Sequence, residues 1–493
     1  MDHKKTIRLL LTLLLLPMLN GCGQDDTTVE TTPRYQVVDG VTYELSESNN
    51  YYAVVAWDGD HTAVVLADDI LGIFVTRIDD AVFKNDADLV SIILPAHLET
   101  IGEEAFHGCT ALAEIIFPES LSSIEQLAFG RCTSLLTLVI PKNLSAIGNF
   151  AFAHCTGLTA VDLSITKATI GANAFDDCTS LADITFSQNV RFIGQNAFVG
   201  TPWYNALPDG YNYLGDYFLE YRGAIAPDTE ITLDPDTSYI GFDAFRDQDN
   251  LVSIVIPDSV VRIYGYAFYG CDNLETVIFP TELVEIGIEA FKLCRKLTSA
   301  DLAATKLNKL GSGSFSGCAA LVTVTLSPFL DVISSFTFNG CGSLTAIHFP
   351  KRLKGISDSA FENCVLLKDI SFEDESLMLA IGTKAFRNCA ALDDIVLPTK
   401  LTDIGIYAFS GCTGMTSIVL PATLKTIGHQ AFYRCSSLVR IVIPSSVTLI
   451  EEDAFVDCDA LSIYCQALWL PVSWDDLWNS DNRPVTWNYK GAS

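Results

Sequence analysis

A single phenylalanine recurs at an almost constant interval along most of the chain. The step between consecutive copies is 23 residues in twelve of fifteen intervals, and 24, 25 and 47 residues in the other three. Such a period restricts the chain to stacked turns, because one turn has too few apolar side chains to form a core alone. The copies are Phe83, Phe106, Phe129, Phe152, Phe175, Phe198, Phe245, Phe268, Phe291, Phe315, Phe338, Phe361, Phe386, Phe409, Phe432 and Phe455.

Other apolar residues keep a fixed distance from this phenylalanine. Isoleucine or leucine lies five residues before it, as at Ile101, and cysteine lies three residues after thirteen of the copies. Each turn also contains a run such as Leu112 to Pro118, in which Ile115 and Phe117 alternate with outward positions. This alternation predicts a strand that ends at the proline. Equivalent strands of successive turns then pair in parallel, about 4.8 Å apart.

The full motif, Leu-x-x-Ile-x-Leu-Pro-x-x-Leu-x-x-Ile-Gly-x-x-Ala-Phe-x-x-Cys, resembles the BspA-like subclass of leucine-rich repeats, and residues 76–460 match it. The resemblance implies an α/β-type repeat solenoid, mostly β, with short turns or helical segments and a parallel sheet on one face. BspA-like proteins are associated with attachment to host matrix proteins and to other cells. The resemblance therefore implies an elongated surface adhesin or protein-interaction scaffold.

The N-terminus has the pattern of a secretory signal. Lys4, Lys5 and Arg8 precede an apolar run at residues 9–16. A basic start followed by a short apolar core is typical of a cleaved signal peptide. The run is too short for a bilayer-spanning helix, which needs about 20 apolar residues.

Residues 19–22, Leu-Asn-Gly-Cys, resemble the bacterial lipobox, which implies that Cys22 becomes the lipidated first residue. The acidic pair Asp25 and Asp26 resembles the surface-export signal of Bacteroides lipoproteins. We therefore expect an outer-membrane lipoprotein that faces the outside of the cell. An ordinary signal peptide and a periplasmic orientation are the alternatives.

Departures from the repeat divide the chain into segments. We predict a signal peptide at 1–21, a lipidated cysteine and flexible tether at 22–34, an N-terminal cap at 35–75, leucine-rich repeats at 76–200, an insert at 201–236, further repeats at 237–460 and a C-terminal cap at 461–493. The insert has two aromatic runs around Gly215 and Asp216, which predict a β-hairpin. It is either a degenerate repeat or a ligand platform, formed by Trp203, Tyr204, Tyr211, Tyr213 and Tyr217.

The C-terminal cap contains Trp469, Trp474, Trp478 and Trp487, four of the six tryptophans in the chain. Stacked repeats need covered ends, so capping is the first interpretation of these side chains. Stacking of sugars on exposed tryptophans is the alternative.

The recurring cysteines are predicted to be structural. Neighbouring copies point in the same direction along the stack, which is poor geometry for a disulfide. We therefore expect mostly free, buried thiols that pack as small apolar residues. The predicted ladder is represented by Phe106, Cys109, Phe129, Cys132, Phe409 and Cys412.

Charge and motif content exclude several functions. The net charge of −30, with no basic stripe, disfavours a nucleic-acid partner. The seven histidines form no metal-binding or hydrolase motif, and no phosphate-binding loop occurs. We therefore predict a protein that is not an enzyme and has no cofactor and no metal site.

The outward positions of the repeated strands are the candidate binding face. Exposed apolar side chains in a contiguous strip often mark a partner site. Packing within the sheet is the alternative reason for β-branched residues there. The predicted partner is a host or microbial surface protein, with a glycan as the alternative and a membrane contact through the N-terminal lipid. The candidates are Ile93, Ile116, Val139, Asp162, Val255, Ile278, His348, Val396, Val419 and Val442.

Overall fold

In the computed structural model, the described residues are 32–48, 50–59, 62–187, 190–227 and 229–491. They belong to two compact units, one up to Leu207 and one from Pro208. The predicted signal peptide, Cys22 and the tether up to residue 31 lie outside the described residues. Within the described ranges, no helix has the length and apolar character that a membrane crossing requires.

The first unit opens with antiparallel strands and continues with parallel ones. β1 pairs antiparallel with β2 and β2 with β3, whereas β3 pairs parallel with β6. The strands are β1 (Tyr35–Val38), β2 (Val41–Leu45), β3 (Tyr52–Trp57), β4 (Ala63–Val65), β5 (Asp69–Ile70), β6 (Ile73–Ile78), β7 (Ser91–Ile93), β8 (Thr100–Ile101), β9 (Ser123–Ile124), β10 (Thr137–Val139), β11 (Ala146–Ile147), β12 (Ala160–Leu163), β13 (Thr169–Ile170) and β14 (Asp183–Phe186).

The second unit repeats this arrangement. The antiparallel hairpin β15–β16 opens it, and β16 pairs parallel with β18. The strands are β15 (Gly210–Leu214), β16 (Tyr217–Arg222), β17 (Glu230–Thr232), β18 (Tyr239–Ile240), β19 (Ser253–Val255), β20 (Arg262–Ile263), β21 (Thr276–Ile278), β22 (Glu285–Ile286), β23 (Ser299–Asp301), β24 (Lys309–Leu310), β25 (Thr323–Thr325), β26 (Val332–Ile333), β27 (Ala346–Phe349), β28 (Gly355–Ile356), β29 (Asp369–Phe372), β30 (Ala380–Ile381), β31 (Ile395–Val396), β32 (Asp403–Ile404), β33 (Ser417–Val419), β34 (Thr426–Ile427), β35 (Arg440–Ile443), β36 (Leu449–Ile450), β37 (Ser462–Cys465) and β38 (Val485–Thr486).

The turns build two series of parallel sheets, whereas the sequence predicted a sheet on one face. The predicted series consists of strands from the Leu-x-x-Ile motif, here called Leu-motif strands, such as β10 and β12, which pair in register. The second series consists of two-residue strands that end on the isoleucine five residues before the ladder phenylalanine. In this series Ile147 pairs with Ile124 on one side and Ile170 on the other. The same 23-residue step therefore aligns both series.

The prediction of an α/β-type fold with helical segments is wrong. Leu127 and Arg131, two residues before and two after Phe129, have φ angles of 55° and 64°. Residues at these two positions adopt left-handed backbone in most turns, so a right-handed helix cannot extend past the phenylalanine. Among the described residues, the one helix is the four-residue Pro202–Asn205. The fold is a β-solenoid of about 19 turns.

The core of each unit is a column of phenylalanine rings. From Phe83 to Phe198, successive rings stack at centroid distances of 5.0–5.4 Å with interplanar angles of 2–6°. In the second unit the column runs from Phe245 to Phe455. The longer steps of 24 and 25 residues leave the ring distance at 5.3 Å. The extra residues are therefore accommodated outside the core.

The cysteines form a second column beside the rings. Each recurring thiol donates to the carbonyl of the phenylalanine one turn back, as Cys109 Sγ does to Phe83 O at 3.0 Å. Cys271 makes the same bond to Phe245 O at 3.0 Å. All fourteen cysteines in the described ranges are buried and free. The recurring thiols are thus both packing groups and hydrogen-bond donors in the buried core.

Candidate functional site

The outward positions of the Leu-motif strands form a continuous apolar row in the first unit. In β7, Ile92 is buried and Ile93 is exposed, as strand alternation requires. Val65 of β4 lies in register beside Ile93, and Val139 occupies the equivalent position further along. We call this set the apolar row: Val65, Ile93, Ile116 and Val139, with 64%, 62%, 75% and 64% of each residue exposed.

The apolar row ends at a charged residue. Val139 pairs in register with Asp162, whose side chain accepts a hydrogen bond from Ser164 N at 2.9 Å. Hydrogen bonds from Ser164 hold the pKa of the Asp162 carboxyl below its usual range. Sequence analysis did not include Val65 in the candidate binding face. Val65 lies 28 residues before Ile93, in the N-terminal cap and outside the 23-residue period.

In the second unit the equivalent outward positions form a separate row, in which apolar and polar residues both occur. Val255 and Ile278 are exposed, and the next outward residues, Asp301 and Thr325, are polar. His348 and Ser371 continue the polar part, and the row returns to an apolar residue at Val396, which is exposed. Val419 is half-buried.

Val442, predicted on the binding face, is buried. Its neighbour in register is Tyr464 of the next strand, and the ring of Tyr489 lies 5.0 Å from that of Tyr464. The C-terminal cap therefore covers this end of the row, and Val442 cannot contact a partner.

The polar part of the row contains an arrangement that the sequence did not predict. His348 Nδ1 lies 2.9 Å from Ser371 Oγ, and His348 Nε2 lies 4.0 Å from Glu373 Oε1. His348 and Ser371 line an open groove of about 290 Å³. The imidazole could accept the hydroxyl proton, but the site is open to water, whereas hydrolase sites stabilise developing charge in a water-excluded environment. The arrangement is better suited to hydrogen bonding with a polar ligand.

The predicted aromatic platform is not a single exposed surface. Trp203, followed by the half-buried Tyr204, lies in the first unit and packs at 5.2 Å against both Phe186 and Phe198. In the second unit Tyr217 is fully buried, and the Tyr213 ring lies 5.0 Å from that of Phe218. Only Tyr211 of these five is exposed. The aromatic residues mainly pack against the ring columns, and a platform of all five is ruled out.

The tryptophans of the C-terminal cap divide into two groups. Trp474 and Trp478 are buried, and Trp478 packs edge-on against Phe455, the last ring of the column, at 6.2 Å. Trp487 packs against Trp474 at 5.9 Å. These three side chains cover the end of the core. Trp469, in contrast, is exposed.

One group of side chains in the described ranges has metal-ligand geometry, although the sequence predicted no metal site. Ligand atoms of His154, Asp176 and Asp177 lie within 4.8 Å of one another. His154 Nδ1 and Asp177 Oδ2, from adjacent turns, are 3.6 Å apart and can form an ion pair. Sequence reasoning could not identify this group, because His154 lies one turn before Asp176 and Asp177. They are largely exposed, and a surface ion pair accounts for the geometry.

The comparisons with known proteins concern the repeat. The family model described as the BspA type leucine rich repeat region matches in six copies, over residues 76–203, 227–341 and 331–462. No curated protein matches the chain.

Several solved structures are similar to the chain. A leucine-rich repeat protein from Bacteroides ovatus is 22% identical, with 87% of this chain and 99% of that one covered and a TM-score of 0.43. A leucine rich cell surface protein from Faecalibacterium prausnitzii is 20% identical, with coverage of 88% and 94% and a TM-score of 0.31. The pneumococcal vaccine antigen PcpA is 19% identical, with coverage of 69% and 98% and a TM-score of 0.34.

Proposed function

Because the chain belongs to the family of BspA-type leucine-rich repeat proteins, we propose that it is a non-catalytic surface protein that binds another protein through its Leu-motif sheet. The proposed location is the outer surface of a bacterial outer membrane, with the lipidated Cys22 as anchor. The sequence patterns at residues 1–26 support this location. The proposed role is adhesion or scaffolding.

The apolar row is the observation that carries the proposal. Isolated exposed aliphatic residues are ordinary on protein surfaces, but four at consecutive equivalent positions form a contiguous patch. Parallel pairing holds part of their backbone in place, since Val65 pairs with Ile93, Ser91 of the same strand bridges to Glu114, and Val139 pairs with Asp162. A surface that is already ordered loses little conformational entropy when a partner binds.

Glycan binding is the second candidate. The predicted platform gives it little support, because Tyr217 is buried and only Tyr211 of the five residues is exposed. The polar groove around His348 and Ser371 is the observation that favours it, because side-chain hydroxyl and imidazole groups suit hydrogen bonding to sugar hydroxyls.

An array that holds host matrix proteins and glycans side by side tests both candidates. The protein applied to the array is the mature chain with Cys22→Ser, so that no N-terminal lipid contributes to binding. We expect saturable binding to a protein, and at least about a 100-fold loss of affinity in the double variant Ile116→Asp with Val139→Asp. Burial of one aliphatic side chain contributes about 1.5–3 kcal/mol, and a tenfold change in affinity is about 1.4 kcal/mol.

The matched control is Val365→Asp with Leu366→Asp, which changes two exposed apolar residues outside the row. Its affinity should equal that of the wild type. Unchanged affinity in the Ile116/Val139 variant, with an intact circular dichroism spectrum, would remove the row as the site. Binding only to glycans that is lost on His348→Ala would favour the second candidate.

A further inference from the structure

A loop in the C-terminal cap presents four apolar side chains to solvent. We call residues 467–472, Ala-Leu-Trp-Leu-Pro-Val, the apolar loop. Val472 is 104% exposed and Trp469 71%, and Leu468 and Leu470 are also exposed. Large apolar side chains on one short segment are costly in water, so such a segment often marks a contact surface.

The loop is held in place at both ends. Gln466 N donates to Ile443 O at 3.0 Å, and Asn488 N donates to Ala467 O at 2.9 Å. At the other end Trp474 N donates to Pro471 O at 3.2 Å, and its indole Nε1 donates to Val447 O at 3.3 Å. The cap thus buries Trp474 while Trp469, five residues earlier, points outward. The exposure belongs to the folded state of the cap and is not the consequence of an unpaired end.

The shape of the loop favours a lipid surface over a protein pocket. Val472 and Trp469 are largely free of neighbouring atoms, so they project from the surface and do not line a groove. A protein partner would need a cavity that matches them. The headgroup layer of a bilayer accommodates a convex apolar group of any shape. Tryptophan is enriched in this layer because its ring is apolar and its N–H is polar.

Charge selects the type of lipid. No charged residue occurs between Asp459 and Asp475, and the residues that follow the loop include the exposed pair Asp475 and Asp476. Membrane contacts with anionic lipids rely on clustered lysine and arginine, which this loop lacks. The chain carries a net charge of −30, so an anionic surface repels it. The favoured surface is therefore zwitterionic.

We propose that the apolar loop inserts Leu468, Trp469, Leu470 and Val472 into the headgroup layer of a zwitterionic bilayer. The contact is weak and reversible, since even a whole myristoyl chain gives only marginal membrane binding. It is independent of the apolar row and of the lipid on Cys22. The loop thus gives the cap a membrane contact of its own.

Sedimentation with phosphatidylcholine vesicles tests the proposal, with the mature chain carrying Cys22→Ser. We expect the wild type to sediment with the vesicles and the double variant Trp469→Ser with Leu470→Ser to bind at least about tenfold more weakly. Leu477→Ser is the matched control, since Leu477 is an equally exposed leucine of the same cap outside the loop. Its binding should equal that of the wild type.

Two further measurements separate lipid insertion from other contacts. The tryptophan emission should shift to the blue on vesicle addition, and Trp469→Phe should bind but lose that shift. Added phosphatidylserine should weaken binding at low salt. Absence of sedimentation, equal binding by the double variant, or binding that requires anionic lipid would each overturn the proposal. A dimer that forms through the loop without vesicles would also overturn the proposal. So would a change in tryptophan emission when oligosaccharides are added without vesicles.

Discussion

At the scale of the residue, the recurring cysteine has a hydrogen-bonding role that its position in the repeat does not reveal. Its thiol donates to a phenylalanine carbonyl one turn back, as between Cys132 Sγ and Phe106 O at 3.2 Å. The same carbonyl already accepts from Cys109 N at 3.1 Å, so the thiol supplies a second hydrogen bond to a buried oxygen that has two lone pairs. The residue therefore fills space and satisfies the backbone at the same time.

The thiol column predicts sensitivity to alkaline pH. Burial raises the pKa of the Cys271 thiol to about 12, from an ordinary value of 9.0. Between these values the unfolded chain loses a proton that the folded chain keeps, so the free energy of unfolding falls as pH rises. Below about pH 9 both states keep the proton and the effect disappears. Other buried thiols, such as Cys109 with a pKa of about 12, add to the same trend.

Urea unfolding at about pH 8 and about pH 10.5 measures this dependence in the wild type and in Cys271→Ala. One thiol contributes about 1.4 kcal/mol per pH unit above its unfolded pKa, so the variant should lose about 2 kcal/mol less than the wild type over this range. Equal pH dependence in both proteins would contradict the assignment.

At the scale of the element, close approach between successive turns places strict demands on a few backbone positions. Gly148 follows the short strand β11, and a Cβ there would lie 2.5 Å from Glu125 C of the neighbouring turn. A glycine after a strand is ordinarily explained by the conformational freedom that a tight turn requires. The structure gives a different reason, because the neighbouring backbone occupies the space that a side chain needs.

Gly148→Ala should therefore destabilise the first unit by several kcal/mol, since the contact is with backbone and one turn must shift away from the next. Gly355→Ala is the matched control, because a Cβ there would lie 3.7 Å from Ala380 O, an ordinary contact. Thermal unfolding of both variants measures the difference. A similar melting temperature for the two would contradict the steric explanation.

The elements also show which parts of the fold a sequence can predict. The Leu-motif strands and the hairpin at 210–222 follow from alternation and from turn residues, which are local signals. The short strands form by pairing with neighbouring turns. The residues around Ile147 therefore have no local pattern that predicts a strand, although the isoleucine itself recurs in the repeat. The left-handed corners are occupied by residues as different as Leu127, His154 and Lys384. Stacking imposes this conformation, and side-chain identity does not report it.

The candidate site was predictable to a similar extent. Ile93, Ile116 and Val139 were found because the period gives their orientation directly. Val442 was assigned wrongly, because the cap that covers it lies outside the repeat. The contact of His348 with Ser371 joins adjacent turns and depends on side-chain conformation. The period predicts the direction in which a side chain points. Contacts between side chains of adjacent turns can be identified only from the structure.

At the scale of the whole molecule, the two units begin in the same way. Residues 39–43, Asp-Gly-Val-Thr-Tyr, and 209–213, Asp-Gly-Tyr-Asn-Tyr, each lead into an antiparallel hairpin. Tyr43 Oη accepts from Ala67 N at 2.9 Å, and Tyr213 Oη accepts from Asp234 N at 2.9 Å. In the second unit the ring of Phe218 lies 5.0 Å from Phe245, at the head of the column. The hairpin at 210–222 is thus equivalent to an N-terminal cap.

Because both ends of the second unit are covered, residues 208–493 should fold when expressed alone. Repeat stacks need terminal caps for solubility and stability. A cooperative thermal transition and a near-ultraviolet circular dichroism signal would support this. Residues 223–493, which lack the hairpin, are the control, and they should aggregate because Phe245 and Ile240 lose their cover. Aggregation of both fragments would contradict the cap assignment.

The ring columns and strand ladders also determine how each unit responds to a pulling force. Hydrogen bonds join each turn to the next, so tension along the stack loads the terminal turn while inner turns keep their contacts. Each detached turn releases 23 residues, or about 80 Å of extended chain. A unit held between an anchor and a partner therefore lengthens in steps. Each step absorbs mechanical work by detaching one terminal turn, while the remaining core stays folded.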